Sequence, residues 1–81
     1  MLEGEISFQY GDEETARAVA ALIEMDNRIA PRTVEIHTWA DGKRVLTSLR
    51  SKRTGTFFAT IDDLLFTEKL IATILDTSKG L

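Results

Sequence analysis

The stretch Thr54–Asp76, TGTFFATIDDLLFTEKLIATILD, constrains the fold most because it carries more large apolar side chains than any other segment. Its spacing predicts one long helix with an apolar strip along one side, since successive residues turn by about 100°. A second apolar strip, spaced by four residues, lies roughly 140° away, where an amphipathic helix is normally polar. The first strip contains Phe57, Ile61, Leu64, Ile71 and Leu75, and the second contains Phe66, Leu70 and Ile74.

A helix that is apolar on two sides needs two covering layers. The chain has 81 residues, the size of one small domain, and such a domain buries only about 60% of the surface that its unfolded chain exposes. One layer of that domain covers one side of the helix, so the second strip is left for another chain. The sequence therefore predicts a single domain, residues 1–81, that works with a partner.

Composition narrows the class of protein. Apolar residues make up 43% of the chain and charged residues 28%, which predicts a folded domain. The absence of cysteine excludes disulfides, thiolate metal sites and cysteine nucleophiles, and it fits a reducing compartment such as the cytoplasm. The first residues, MLEGEISFQY, lack the apolar run of a signal peptide, and no run approaches the roughly 20 apolar residues of a membrane span.

The first half of the chain predicts a strand followed by a helix. Apolar and polar residues alternate over Leu2–Tyr10, which is typical of a half-buried strand. Asp12 is a candidate N-cap for a helix over Glu13–Asp26, whose inner side is small or branched. That inner side consists of Ala16, Val19, Ala20 and Ile23.

A hairpin is predicted next. Asp41-Gly42 is a two-residue turn signal between strands over Thr33–Ala40 and Lys43–Lys52. This register sets Thr38 opposite Val45 and Trp39 opposite Arg44, where a cation–π contact is expected. It gathers Val34, Ile36, Thr38, Val45, Thr47 and Leu49 on one face. Thr54 or Thr56 is available to cap the long helix that follows.

The element order is therefore strand, helix, strand, strand, helix, an α+β arrangement. A right-handed helical crossover makes the first two strands parallel, and the third strand fits between them. The predicted fold is a three-stranded antiparallel sheet with both helices packed on one face.

Residues suited to catalysis, metal binding or cofactor binding are few. His37 is the only histidine, and it stands on the outer face of a strand. Asp62 and Asp63 are neighbours on a helix and point about 100° apart, so they do not form a close carboxylate pair. No glycine belongs to a phosphate-binding motif. We therefore expect no enzyme activity, no catalytic residues, no metal and no cofactor.

Glu68 is unusual because its angular position lies within the first apolar strip. Three interpretations remain open: the side chain reaches the edge of the core, pairs with a basic residue of the hairpin, or meets a basic residue of another chain.

A basic cluster with an aromatic residue offers an alternative function. Trp39, Arg44, Arg50, Lys52 and Arg53 lie on or beside the hairpin and are candidate RNA contacts. The βαββα order also invites comparison with K-homology RNA-binding modules, but the GXXG segment that clamps the RNA backbone is missing. A net charge of −3 argues against strong independent binding, and a solvated charged face explains the same residues.

The four segments together resemble a known family. They are similar to the small dimerisation subunit of the KEOPS complex, which is the CTAG or polarized growth chromatin-associated controller family. The segments are EGEISFQY, DEETARAVAALIEMD, VEIHTWADGKRVLTSLRSK and TFFATIDDLLFTEKLIATIL. Family members usually carry a Leu-Arg pair and then an Asn-Ser pair near the start of the last helix. This chain has Phe57-Phe58 and Asp62-Asp63 there, as in a divergent member or a paralogue.

The resemblance implies a non-catalytic role in forming threonylcarbamoyladenosine in tRNA. Such subunits pair with themselves and use their helices to hold the catalytic threonylcarbamoyltransferase subunit, and contact with tRNA is indirect or weak. On this basis the partner-binding residues are expected to be Leu22, Met25, Phe66, Leu70 and Ile74.

Overall fold

The computed structural model describes residues 1–30 and 32–79, and residues 76–79 by their backbone only. The single-domain prediction also covers Pro31, Gly80 and Leu81, which lie outside the described residues. The elements in chain order are β1 (Leu2–Gln9), α1 (Glu13–Asn27), β2 (Val34–Asp41), β3 (Arg44–Ser51) and α2 (Thr54–Lys79).

The three strands form one antiparallel sheet in the order β1, β3, β2. β3 lies in the centre and pairs antiparallel with both neighbours, so β1 and β2 run parallel to each other and are joined through α1. Both helices pack on the same face of the sheet. This confirms the predicted α+β fold and its βαββα order.

The core lies between the helices and the inner face of the sheet. The predicted inner side of α1 is buried, and its residues pack with Val45 of β3 and Leu64 of α2. Phe57 and Leu64 of the first strip are buried, while Ile61, Ile71 and Leu75 are partly buried against the core. The first strip of α2 is therefore covered by the chain's own sheet and α1, as predicted.

Gly4 on β1 lets α2 approach the sheet closely. A Cβ atom at this position would lie 3.1 Å from the Phe57 ring. Since real Cβ contacts are rarely this short, a larger residue here would push the ring away from β1. The glycine at this inward-facing position of β1 thus has a packing cause.

The hairpin register differs from the prediction by two residues. Asp41 pairs with Arg44, so the turn residues are Gly42 and Lys43 rather than Asp41 and Gly42. Gly42 has φ of 62°, and Lys43 has a negative φ. This combination is typical of a type II′ turn, which takes glycine at its first central position. A shift of two residues leaves every side chain on its predicted face, because strand side chains alternate with period two.

The two helix starts are held by different groups. Asp12 caps α1 as predicted, since its Oδ1 accepts the Thr15 N–H at 2.7 Å. The prediction of a threonine cap for α2 is wrong, because Thr54 is itself the first helical residue. The Arg53 carbonyl accepts the Phe57 N–H at 2.9 Å, and the Ser51 hydroxyl accepts the Arg53 N–H at 3.1 Å. Within the described residues, no helix has the length and apolar content needed to cross a membrane.

Candidate partner-binding surface

The second apolar strip of α2 is exposed along its whole length. Phe66, Leu70 and Ile74 are 68%, 51% and 57% exposed. Their four-residue spacing places them on one side of the helix, turned away from the buried Phe57 and Leu64. The structure thus leaves these three side chains without a covering layer from the described chain.

α1 contributes the other two predicted partner-binding residues. Leu22 and Met25 are 47% and 64% exposed. Leu22 does not line the cleft between the helices, and it lies about 40° around α1 from Asp26, which does. We call Leu22, Met25, Phe66, Leu70 and Ile74 the outer helical surface.

α2 also exposes apolar side chains outside the two predicted strips. Phe58 and Leu65 are 55% and 45% exposed. They are seven residues apart and therefore share a side of the helix, roughly 140° from Leu70 in the case of Leu65. The Phe58 ring packs edge-on against Phe57, with centroids 5.4 Å apart and an interplanar angle of 85°. Their seven-residue spacing is the sequence signal for this third apolar side of α2.

A cleft separates the C-terminal half of α1 from the N-terminal half of α2. Its volume is about 400 Å³. Buried Ile23, Ile36 and Leu64 line it, and Asp26 and Asp63 stand on its two helical walls. The α2 wall is built from small residues, which leaves the helices apart at this end of the molecule.

Glu68 lies at the edge of the core, in agreement with the first of the three interpretations, and it has a partner there that the sequence did not indicate. The Tyr10 hydroxyl donates to Glu68 Oε1 at 2.7 Å, which ties the residue after β1 to the middle of α2. Burial raises the pKa of Tyr10, and the hydrogen bond to Glu68 and the charge of that carboxylate raise it further. The hydrogen bond between the neutral Tyr10 phenol and the Glu68 carboxylate thus holds α2 in place at the edge of the core.

The basic residues predicted to contact RNA lie at opposite ends of β3, and two of them form ion pairs with acidic residues. Arg44 forms an ion pair with Asp41 at 3.2 Å. Arg50 lies between Glu3 and Glu35, with Nε 3.6 Å and 3.7 Å from their carboxylate oxygens. The remaining two basic residues, Lys52 and Arg53, are exposed beyond the end of β3, at the opposite end of the strand from Arg44.

Trp39 does not form the predicted contact with Arg44. The observed register sets Trp39 opposite Leu46 on the outer face, and Arg44 opposite Asp41. Among the described residues no cation–π pair occurs. The shifted turn explains the difference, since it moves every cross-strand pair of the hairpin by two positions.

The outer face offers little for catalysis or metal binding. His37 is exposed opposite Ser48, which in turn lies opposite Glu5 of β1. No hydrogen bond links these three side chains. Over residues 1–30 and 32–79, no group of three or more His, Cys, Asp or Glu residues is arranged to hold a metal ion.

Comparison with known proteins gives matches among solved structures. No protein-family model and no curated protein matches the sequence. Among solved structures, the chain is similar to a chain of the crystal structure of the binary complex Gon7-Pcc1, with a TM-score of 0.83 and 14% sequence identity over 94% of each chain. The two chains share one fold. At this identity the likeness establishes the fold alone.

Proposed function

We propose that this protein is a non-catalytic dimerisation and scaffold subunit of a KEOPS complex, which supports threonylcarbamoyladenosine modification of tRNA in the cytoplasm. The exposed strip of Phe66, Leu70 and Ile74 carries the proposal, because the opposite side of the same helix is already covered. The shared fold with a chain of the Gon7-Pcc1 complex and the sequence resemblance support it independently.

The outer helical surface is the proposed contact for the catalytic threonylcarbamoyltransferase subunit. Its members are large apolar side chains on two neighbouring helices, which is the surface type that a helical partner covers. Met25 adds an adaptable side chain to this patch. Homodimerisation is the second part of the proposal, and it needs a surface separate from this one.

The proposed role requires no chemistry from this chain. Two hydroxyls donate to carboxylates in the described residues, Thr15 to Asp12 and Tyr10 to Glu68, and these pairs cap α1 and hold α2 against the end of β1. The protein acts by bringing two catalytic subunits together, and contact with tRNA is weak or made through those subunits.

The decisive experiment mixes the protein with the threonylcarbamoyltransferase subunit from the same organism and measures complex formation by size-exclusion chromatography with light scattering. Leu70→Asp should abolish the complex. Because Leu70 is half exposed in the free protein, the variant should keep the circular dichroism of the wild type and lose no more than about 1 kcal/mol of unfolding free energy.

The matched control is Leu65→Asp on the same helix. Leu65 has a similar exposure, 45% against 51%, but a different side of α2. This variant should bind as the wild type does. If Leu70→Asp unfolds the isolated protein, or if both variants bind normally, the proposed surface is wrong.

A further inference from the structure

Basic side chains concentrate at the end of the sheet where β1 and β2 begin and β3 ends. A hollow of about 290 Å³ opens there. Of the described residues around it, four are lysine or arginine, out of ten in the whole chain, and one, Glu35, carries a carboxylate. The four basic residues are Arg32, Arg50, Lys52 and Arg53. We call this site the basic hollow.

Ser51 holds together the chain segments that surround the basic hollow. It is 2% exposed and is the last residue of β3. Its hydroxyl donates to the Thr33 carbonyl at 2.8 Å and accepts the Arg53 N–H at 3.1 Å. The segment before β2 and the residue before α2 are therefore both fixed to the end of β3. This arrangement places Arg32, Lys52 and Arg53 around one opening.

Three of the four cations have no carboxylate partner. Within the described residues Arg32, Lys52 and Arg53 form no ion pair, and all three are exposed. Arg50 is already shared between two carboxylates. Since like charges held close together repel one another, an anion that binds among the three free cations is attracted by all of them.

The start of α2 adds to the positive potential of the basic hollow. α2 begins at Thr54, directly after Arg53, and the positive end of its helix dipole lies at this terminus. A guanidinium group binds phosphate oxygens through two parallel hydrogen bonds, and a lysine adds a point charge. A phosphate group offers more acceptor oxygens than the two of a carboxylate, so it fits this set of donors better.

We propose that the basic hollow binds a phosphate group and that, in the assembled complex of the proposed function, this phosphate belongs to the backbone of tRNA. The inference rests on the proposed function and assigns the weak tRNA contact to particular residues of this chain. Three free cations on a chain of net charge −3 are too few to hold tRNA alone at about 150 mM salt, so their contact adds to those of the catalytic subunit.

The first test titrates the isolated full chain with inorganic phosphate at about 20 mM salt, where screening is weak, and follows the backbone amides by NMR. Sodium chloride at equal ionic strength is the reference. The amides of Lys52, Arg53 and Thr54 should shift with phosphate until the site is saturated. The double variant Lys52→Ala, Arg53→Ala should lose this response. The matched control Lys43→Ala, Lys69→Ala removes two charges from exposed sites elsewhere and should keep it.

The second test measures tRNA binding by the complex of the full chain with the threonylcarbamoyltransferase subunit, using fluorescence anisotropy over a range of salt concentrations. The double variant Lys52→Ala, Arg53→Ala should bind tRNA about tenfold more weakly than wild type. The slope of its log affinity against log salt concentration should be smaller by about 1 to 2, because each lost phosphate contact removes about 1. The complex with Lys43→Ala, Lys69→Ala should bind tRNA as the wild-type complex does.

The absence of a phosphate response at Lys52, Arg53 and Thr54 overturns the site. An equal loss of tRNA affinity in both double variants overturns the tRNA contact, because general charge would then account for the binding. A phosphate response combined with normal tRNA binding by the Lys52→Ala, Arg53→Ala complex assigns the basic hollow to a free phosphate anion and overturns the tRNA contact as well. If the catalytic subunit does not bind the chain, the proposed function and its tRNA contact fail together, whereas the phosphate titration still decides the site.

Discussion

Tyr10 and Glu68 show how one long-range contact fixes the position of a helix. They are 58 residues apart in sequence, and their hydrogen bond joins the end of β1 to the middle of α2. A hydrogen bond to a charged group contributes more than a neutral one, and an acceptor left without its donor at a partly buried site costs free energy.

The Tyr10 contact predicts a pH dependence of stability. The raised pKa means that the folded state holds the phenol proton more tightly than the unfolded state. The stabilisation is therefore complete below pH 10.0, the ordinary pKa of tyrosine, and is lost as pH rises above it. Tyr10→Phe should cost about 1 kcal/mol at pH 7, and less at pH 11.

Urea unfolding of both proteins at the two pH values measures this difference. Because Tyr10 is the only tyrosine, its phenolate absorbance follows the same titration without overlap from another tyrosine. An equal difference in unfolding free energy at pH 7 and pH 11 would contradict the assigned role.

At the scale of elements, α2 is longer than the sheet it covers. Its 26 residues span about 39 Å, whereas the eight residues of each strand span about 26 Å. The helix thus accounts for most of the longest dimension of the molecule, 43 Å. Its C-terminal half, which carries Leu70 and Ile74, has less sheet beneath it and more surface for a partner.

α1 depends on a cap that the sequence identified. Both oxygens of Asp12 accept from Thr15, at 2.7 Å from the backbone N–H and 3.0 Å from the hydroxyl. Asp12→Ala should lower the unfolding free energy by about 1 kcal/mol. Asp12→Asn, which keeps an acceptor, should cost less than half as much. Thermal unfolding followed by circular dichroism provides both values, and equal stability of Asp12→Ala and wild type would exclude the cap as a contributor.

For the whole molecule, the distribution of charge favours one of the two candidate functions over the other. The net charge is −3, and the arginines of the outer face are paired with Asp41, Glu3 and Glu35. Strong binding to nucleic acid requires free basic side chains whose contacts release counterions. The outer face is therefore a poor platform for RNA, and the apolar helical side is the better candidate for function.

The isolated protein should accordingly show no measurable affinity for tRNA at about 150 mM salt, where phosphate contacts govern binding. Fluorescence anisotropy with labelled tRNA measures it. The K-homology-like alternative predicts the opposite, a salt-sensitive complex that weakens when Lys52 and Arg53 are replaced by alanine. Such a result would favour the alternative over the scaffold.

Local patterns in the sequence determined the elements and their faces. The alternation in β1, the period of α1 and the two strips of α2 each depend on residues within a few positions of one another, and the fold confirmed all three. The predicted faces of the hairpin strands are correct although the predicted turn residues were not, because a shift of two residues does not change which side a strand residue faces.

Contacts between distant residues were decided only by the tertiary structure. The partner of Glu68 is 58 residues away, and the Thr38 N–H that donates to Glu24 belongs to another element, so neither contact leaves a periodic signal in the sequence. The spread of exposed apolar surface to Phe58 and Leu65 likewise depends on where the sheet and α1 lie against α2. Periodicity says which residues share a side of an element, whereas packing alone decides which of those sides is covered.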